Sequence, residues 1–137
     1  MSYLLDTNVL SELRKPQGNP NVKRWFAGVS GDALFLSVLV LGEIKQGVVR
    51  LSKRDPAQAA VYESWLKTLE TDYRERVLEL DAEIAERWGE LNAHEPLPVI
   101  DGLLAATALV HGLTLVTRNT KDVARSGVET LNPFEVA

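Results

Sequence analysis

The sequence predicts one α/β domain, in which helices cover both faces of a central parallel sheet of four to five strands. Short apolar runs of strand length alternate with longer segments whose apolar residues recur every three or four positions. The segments between these runs are long enough for the helical crossovers that parallel strands require. With 137 residues, 45% of them hydrophobic and 25% charged, the chain has the size and composition of one globular domain. No linker or repeat divides residues 1–137.

In the first half of the chain, helix boundaries are predicted from capping residues and breakers. Asp6, Thr7 and Asn8 follow an apolar run and supply caps for a helix that must stop before Pro16. Ser37 is a favourable N-cap for a later helix, whose apolar residues repeat at helical spacing. In order, we expect a strand over 2–5, a helix before Pro16, a helix over 22–29 closed by Gly31, a strand over 34–36, a helix after Ser37 and another after Pro56.

The second half is divided in the same way. Asp81 is placed to cap a helix that should end near Ala93, and Pro96 and Pro98 separate it from a nearly all-apolar helix. Gly112 can terminate that helix. The expected elements are a strand over 77–80, a helix from Asp81 to about Ala93, a helix over 99–110, a strand over 114–117, a short helix or turn over 118–125 and an edge strand over 128–131.

Four acidic residues are predicted to meet at one edge of the sheet: Asp6, Glu43, Asp101 and Asp122. Asp6 follows the first strand, Glu43 lies in the helix after the second, and Asp101 opens the most apolar helix. Asp122 lies five residues beyond Thr117, which ends the fourth strand. Ligands of open parallel sheets bind beyond the carboxyl ends of the strands. Carboxylates gathered there repel one another unless a cation lies among them, and hard cations such as Mg²⁺ or Mn²⁺ prefer oxygen ligands.

Each acid also has an ordinary role, which the residues alone leave open. Asp6 can cap a helix, and Asp101 can interact with a helix dipole. Glu43 and Asp122 can be solvated surface acids. The ordinary roles do not predict that the acids converge, and their convergence favours a metal site. Two ions bound there could activate water and stabilise the leaving oxygen of a phosphodiester.

Composition excludes several other kinds of site. The chain has no Cys, which excludes disulfides, iron–sulfur clusters and thiol nucleophiles, and its two His do not form a metal-binding pair. The longest largely apolar stretch, over 33–42, is too short to span a membrane, so we expect a cytoplasmic protein. The net charge of −4 equals the charge of the four acids if all are ionised. Net charge therefore does not decide whether the chain binds nucleic acid.

Four motifs occur in order along the chain: YLLDTNVL over 3–10, LSVLVLGEI over 36–44, PLPVIDGLLAATA over 96–108 and LVTRNTKDV over 115–123. Together they resemble those of PIN-domain ribonucleases. Within that family, the chain is similar to the VapC-type toxins of type II toxin–antitoxin systems, including the FitB-like branch. The similarity covers essentially the whole chain, and the order and spacing of the motifs make it specific where each motif alone is weak.

The resemblance implies a PIN-like fold and a Mg²⁺- or Mn²⁺-dependent endoribonuclease that acts as a toxin. It implies a homodimer that is neutralised by a cognate antitoxin protein. Asp6, Glu43 and Asp101 would be the core metal-binding acids. The supporting hydroxyls would belong to Thr7, Ser37 and Thr117.

The fourth corner of the site is left open between two residues. Many PIN domains have an Asp two residues after the Thr that ends the fourth strand, and here that position is Asn119. Asn119 is a neutral oxygen ligand, whereas Asp122 is a charged one a little further along. Whether one metal or two are bound depends on this corner.

Two other functions remain alternatives to a ribonuclease. One is a catalytically silent domain that keeps the PIN fold for partner binding. The other is a phosphoacceptor signalling module, in which Asp81 would be modified. The sequence does not identify the RNA that would be cut, although Arg14, Lys45, Arg50 and Arg118 are candidates for contacting it.

Overall fold

Strands and helices alternate through residues 1–135, which are the residues that the computed structural model describes. The expected single domain over 1–137 includes residues 136 and 137, which lie outside the described residues. The strands are β1 (Tyr3–Leu5), β2 (Leu34–Ser37), β3 (Val77–Leu78), β4 (Thr114–Val116) and β5 (Thr130–Leu131). The helices are α1 (Thr7–Arg14), α2 (Pro20–Ala27), α3 (Val38–Ser52), α4 (Pro56–Asp72), α5 (Ala82–Asn92), α6 (Val99–His111) and α7 (Thr120–Val123).

The central sheet has five strands in the order β3-β2-β1-β4-β5. Every neighbouring pair is parallel, with Leu4 of β1 opposite Phe35 of β2 and Leu115 of β4. This confirms the predicted α/β/α architecture and its parallel sheet. Strand β1 is in the middle of the sheet. The residues that follow its carboxyl end therefore lie between those that follow the carboxyl ends of β2 and β4.

The core lies on both faces of this sheet. Leu4 and Leu5 point to opposite faces, as neighbours in a strand do, and both have 0% exposure. The small residues of α6, including Ala105 and Ala108, are also fully buried, so this helix packs closely against the sheet. Of the helices within residues 1–135, none is both long enough and apolar enough to cross a membrane.

Three of the predicted helix boundaries are confirmed by their capping geometry. The side chain of Ser37 accepts a hydrogen bond from the amide of Leu39, and Asp81 accepts one from the amide of Ile84. Gly112 ends α6 in the left-handed conformation, with φ of 68°. These positions are decided by local chemistry, which is why the sequence predicts them.

Several predicted boundaries are wrong, among them the start of the edge strand, which was expected at residue 128 and is Thr130. Helix α2 already ends at Ala27, and Gly31 instead begins a short 3-10 turn over Gly31–Ala33 that leads into β2. Strand β3 stops at Leu78, although its apolar pattern continues to Leu80. Leu78 pairs with Ser37, the last residue of β2, and beyond that point the neighbouring chain has become helix α3. The length of β3 is therefore set by its partner strand.

Candidate metal and active site

Asp6 lies at the carboxyl end of the central strand and is held by its surroundings. Its amide donates to the carbonyl of Val116 at the end of β4, and its side chain is only 6% exposed. One carboxylate oxygen accepts from the amide of Thr7 at 2.7 Å, and the other accepts from the hydroxyl of Thr117 at 2.7 Å. Asp6 therefore caps helix α1 and also lies at the carboxyl edge of the sheet.

Thr117 connects β4 to this carboxylate from within the core. Its side chain is 1% exposed, and its hydroxyl both donates to Asp6 and accepts from the amide of Asn119 at 3.0 Å. The hydroxyl hydrogen is therefore directed to Asp6. This hydrogen bond orients the Asp6 carboxylate, and the supporting role of Thr117 in a metal site stays a prediction.

Glu43 is joined to the same region through Thr7. The Thr7 hydroxyl donates to a Glu43 carboxylate oxygen at 2.7 Å, although the two residues are 36 positions apart. Glu43 is half-buried in the second turn of α3. Ser37 caps that helix at the end of β2, and so it sets where the helix begins and where Glu43 lies.

Burial and nearby negative charges raise the pKa of the Asp101 carboxyl group. Asp101 is half-buried in the first turn of α6, and the pKa of its carboxyl group is raised from 3.8 to about 6. Burial is the largest cause, and the negative charges of Asp6, Asp122 and Glu43 add to it. The three other acids are thus within electrostatic reach of Asp101.

The fourth corner has two exposed residues, and only one is coupled to the other acids. Asp122 lies in α7, and its negative charge helps to raise the pKa of Asp101. Asn119 precedes α7, and its amide N–H donates to Thr117. Its side chain caps nothing in α7. Asp122 is the charged candidate for this corner and Asn119 the neutral one, and which of them would bind a metal stays a prediction.

The oxygen groups of these residues suit a hard divalent cation, although the distances between the acids limit how many of them can bind one ion directly. The groups are carboxylates, hydroxyls and an amide oxygen, and the mutual repulsion at Asp101 is the kind that a cation relieves. Within residues 1–135, however, no three acidic or His side chains lie close enough to hold one ion between them. Mg²⁺ usually takes one or two carboxylates and keeps several waters, so direct ligation by three is not required. The metal-binding role of these residues stays a prediction.

The basic residues expected to contact RNA are largely engaged with other groups. The guanidinium of Arg14 donates to the hydroxyl of Tyr62 at 2.8 Å and lies over its ring, 4.2 Å from the centroid. Lys45 pairs with Glu63 at 2.9 Å, and Arg118 lies over the ring of Phe134 at 4.6 Å. Only Arg50 has no such contact among the described residues.

A groove beside Glu43 was not predicted from the sequence. It has a volume of about 310 Å³, and we call it the α3–α4 groove. Its walls come from α1, α3 and α4, which are distant in sequence, so no local pattern could have revealed it. The residues that matter below are Thr7, Glu43, Leu51, Arg54, Tyr62 and Trp65.

Asp81 lies apart from these acids. Its side chain is exposed and accepts from the amide of Ile84, which is the role of an N-cap. It is not among the groups whose charge shifts the pKa of Asp101. The structure therefore gives Asp81 a role in starting α5 and no connection to the other four acids.

This fold, with acids around the end of its central strand, is that of a PIN domain. A model of the PIN domain family matches residues 3–126, and the chain belongs to this family. The chain is 31% identical to the plasmid stability protein StbB of Pseudomonas syringae pv. tomato, over 96% of this chain and 98% of that protein. It is 29% identical to toxin FitB of Neisseria gonorrhoeae, over 96% and 97%. It is 30% identical to the VapC ribonuclease Y4jK of Sinorhizobium fredii, over 98% and 99%.

Solved structures agree with these relatives. The crystal structure of FitAcB from Neisseria gonorrhoeae contains a chain that superposes with a TM-score of 0.90 at 28% identity, covering 98% of this chain and 99% of that one. A toxin–antitoxin complex from Klebsiella pneumoniae contains one with a TM-score of 0.73 at 27% identity, covering 98% and 100%. The resemblance to PIN-domain toxins that the four motifs indicated is confirmed.

Proposed function

We propose that this chain is a divalent-metal-dependent endoribonuclease that hydrolyses RNA phosphodiester bonds and acts as the toxin of a toxin–antitoxin pair. The observation that carries the proposal is the electrostatic coupling of Asp101 to three other acids around the end of β1. Relatives that match nearly the whole chain support it, since one is named a VapC ribonuclease and another a toxin.

Asp6, Glu43 and Asp101 are the residues that would hold the metal, one or two of them directly and the others through its bound waters, with Asp122 or Asn119 at the fourth corner. A bound Mg²⁺ or Mn²⁺ would supply activated water and would offset charge on the phosphodiester. The hydroxyl of Thr117 fixes the direction of the Asp6 carboxylate, and that of Thr7 fixes Glu43. At pH values below about 6, a metal-free Asp101 holds a proton on its carboxyl group and loses its charge.

The proposed partners are RNA, a cognate antitoxin protein and a second copy of this chain. Support for an antitoxin comes from the toxin–antitoxin complex of Klebsiella pneumoniae, which contains a structurally similar chain. The homodimer and a cytoplasmic location come from the family resemblance and from the RNA substrate, and they belong to the proposal.

Cleavage of RNA by the purified protein tests the proposed function. Wild type should cleave an unstructured RNA in Mg²⁺ or Mn²⁺ and should stop in EDTA. Asp6→Asn should lower the rate by about 10-fold or more, because changes around metal ligands commonly cost 10- to 100-fold. Asp81→Asn is the matched control: it is also an Asp that caps a helix, but it lies apart from the other acids. Equal cleavage by wild type in Mg²⁺ and EDTA, or by Asp6→Asn and wild type, would contradict the proposal.

A catalytically silent PIN domain is the competing hypothesis. It is favoured by the spacing of the acids, since no three of those described lie within reach of one ion. Such a domain would bind neither Mg²⁺ nor Mn²⁺ and would cleave nothing. The alternative of a phosphoacceptor module has no comparable support, because Asp81 is used as a helix cap.

A further inference from the structure

The α3–α4 groove opens directly beside the proposed active site. Thr7 and Glu43 both line it, and the Thr7 hydroxyl donates to the carboxylate of Glu43, one of the proposed metal-binding acids. A polymer bound with one of its phosphates at the acids could therefore place a neighbouring unit in the groove. Because the groove is a separate recess of about 310 Å³, it offers room for a flat ring next to that phosphate.

Two aromatic side chains line the groove, and both contact Arg14. Tyr62 and Trp65, both half-buried on α4, line it, and their rings meet edge-on with centroids 6.4 Å apart. The guanidinium of Arg14 covers one face of Tyr62 and donates to its hydroxyl. Arg14 also lies over the ring of Trp65, 5.7 Å from its centroid, so it contacts both aromatic side chains without lining the groove itself. Aromatic walls of this kind are the usual stacking surfaces for unpaired bases.

The charge at the groove also suits a polyanion. Arg54 lines it and is exposed, and its guanidinium has no ion-pair partner within residues 1–135. Two lysines of the helices that form the groove, Lys45 and Lys67, are different, because both pair with Glu63. Arg54 is therefore a cation available to a phosphate of a strand that lies in the groove.

We propose that the α3–α4 groove receives an unpaired RNA base adjacent to the scissile phosphodiester, with Tyr62 and Trp65 contacting the base and Arg54 a flanking phosphate. The identity of the ligand as RNA depends on the proposed function. If the chain does not cleave RNA, the groove would still suit a ligand that has a flat ring next to an anionic group. The three residues determine where the RNA strand lies and do not take part in bond cleavage.

Binding of RNA in EDTA tests the groove without any cleavage. An unstructured RNA of about 10 nucleotides should quench tryptophan fluorescence, and Trp65→Phe should remove most of the quenching while Trp25→Phe does not. Tyr62→Leu and Arg54→Gln should each weaken binding about fivefold or more. Arg74→Gln is the matched control, because Arg74 is an equally exposed Arg beyond the other end of α4. An abasic RNA with the same backbone should bind wild type more weakly than the intact RNA.

Cleavage kinetics separate the failure of this proposal from the failure of the proposed function. Arg54→Gln and Tyr62→Leu should raise KM with kcat near the wild-type value, since they bind substrate away from the reacting atoms. If wild type cleaves RNA and both variants keep its KM and RNA affinity, the groove proposal is overturned, and the groove is left to a protein partner. If wild type binds RNA as described but never cleaves it, the enzyme proposal fails and the groove stands. Arg54→Gln alters only an exposed side chain, so loss of folding does not obscure the result.

Discussion

Asp6 is a buried carboxylate whose environment is supplied by residues from both ends of the chain. The hydroxyl of Thr117 reaches it across 111 positions of sequence, and the amide of Thr7 reaches it from the next residue. A hydrogen bond to a charged group is stronger than one between neutral groups, and a buried charge that loses one is destabilised. Thr117 should therefore contribute to stability as well as to the site.

Thr117→Val is expected to lower the free energy of unfolding by about 1–3 kcal/mol, because it removes a donor from a buried charged acceptor. The measurement is urea denaturation in EDTA. Thr107→Val is the control: Thr107 is equally buried, but its hydroxyl donates to the carbonyl of Leu103 in the same helix, a bond that adds little stability. Similar losses in both variants would show that Asp6 does not depend on Thr117.

The raised pKa of Asp101 makes a prediction about pH. Since its pKa of about 6 in the folded protein exceeds the unfolded value, the folded state binds this proton more tightly. The stability that it contributes is complete below about pH 4 and is lost as the pH rises through about 6. Asp101→Asn stays neutral throughout. In EDTA, its melting temperature relative to wild type should rise by a few degrees between about pH 4 and about pH 7.5.

Melting temperatures of both proteins, measured in the same buffers, provide the comparison. A difference between variant and wild type that does not change with pH would contradict the account of Asp101. Saturating Mg²⁺ should reduce the advantage of the variant at neutral pH, because the cation screens the same repulsion in wild type.

At the residue level, the sequence predicted which side chains belong to the candidate site. It did not predict the hydrogen bonds and charge interactions between them. Asp6 and Asp101 could be placed because each follows a strand or opens a helix. The bond from Thr7 to Glu43 and the coupling of Asp122 to Asp101 depend on contacts between distant segments. Local patterns carry no information about such contacts.

At the level of elements, boundaries set by capping chemistry were predictable, and boundaries set by partners were not. Ser37, Asp81 and Gly112 mark the helix ends that the sequence predicts. The early end of β3 depends on where β2 turns into α3, and the groove depends on how α1, α3 and α4 pack. Neither property is local to one segment.

Gly112 and Gly89 should respond in opposite ways to replacement by Ala. Gly112 has φ of 68°, in the left-handed region, so Gly112→Ala is expected to cost about 1 kcal/mol of stability. Gly89 lies inside α5, and there Ala should stabilise by up to about 1 kcal/mol. A Cβ added at either position has open space around it, so packing does not confuse the comparison. Chemical denaturation of the two variants is the measurement, and changes of the same sign would contradict it.

At the level of the whole molecule, the order of strands explains why the four acids lie near one another. Strand β1 lies between β2 and β4, and the acids follow these strands or begin helices that lead back to them. The parallel sheet was predictable from the alternation of apolar runs and helical segments. The family followed from four motifs in order, and its model covers residues 3–126. The distances between the acids could not be predicted from the sequence, because they depend on how distant segments pack.

Calorimetric titration with Mn²⁺ and Mg²⁺ is the most direct measurement of the central claim, which is that the acids around β1 hold a divalent cation. The account predicts saturable binding by wild type and by Asp81→Asn. It predicts binding weakened by about 10-fold or more in Asp6→Asn and in Glu43→Gln. Absence of binding by correctly folded wild type, or equal affinity in wild type and in both of these variants, would contradict the account.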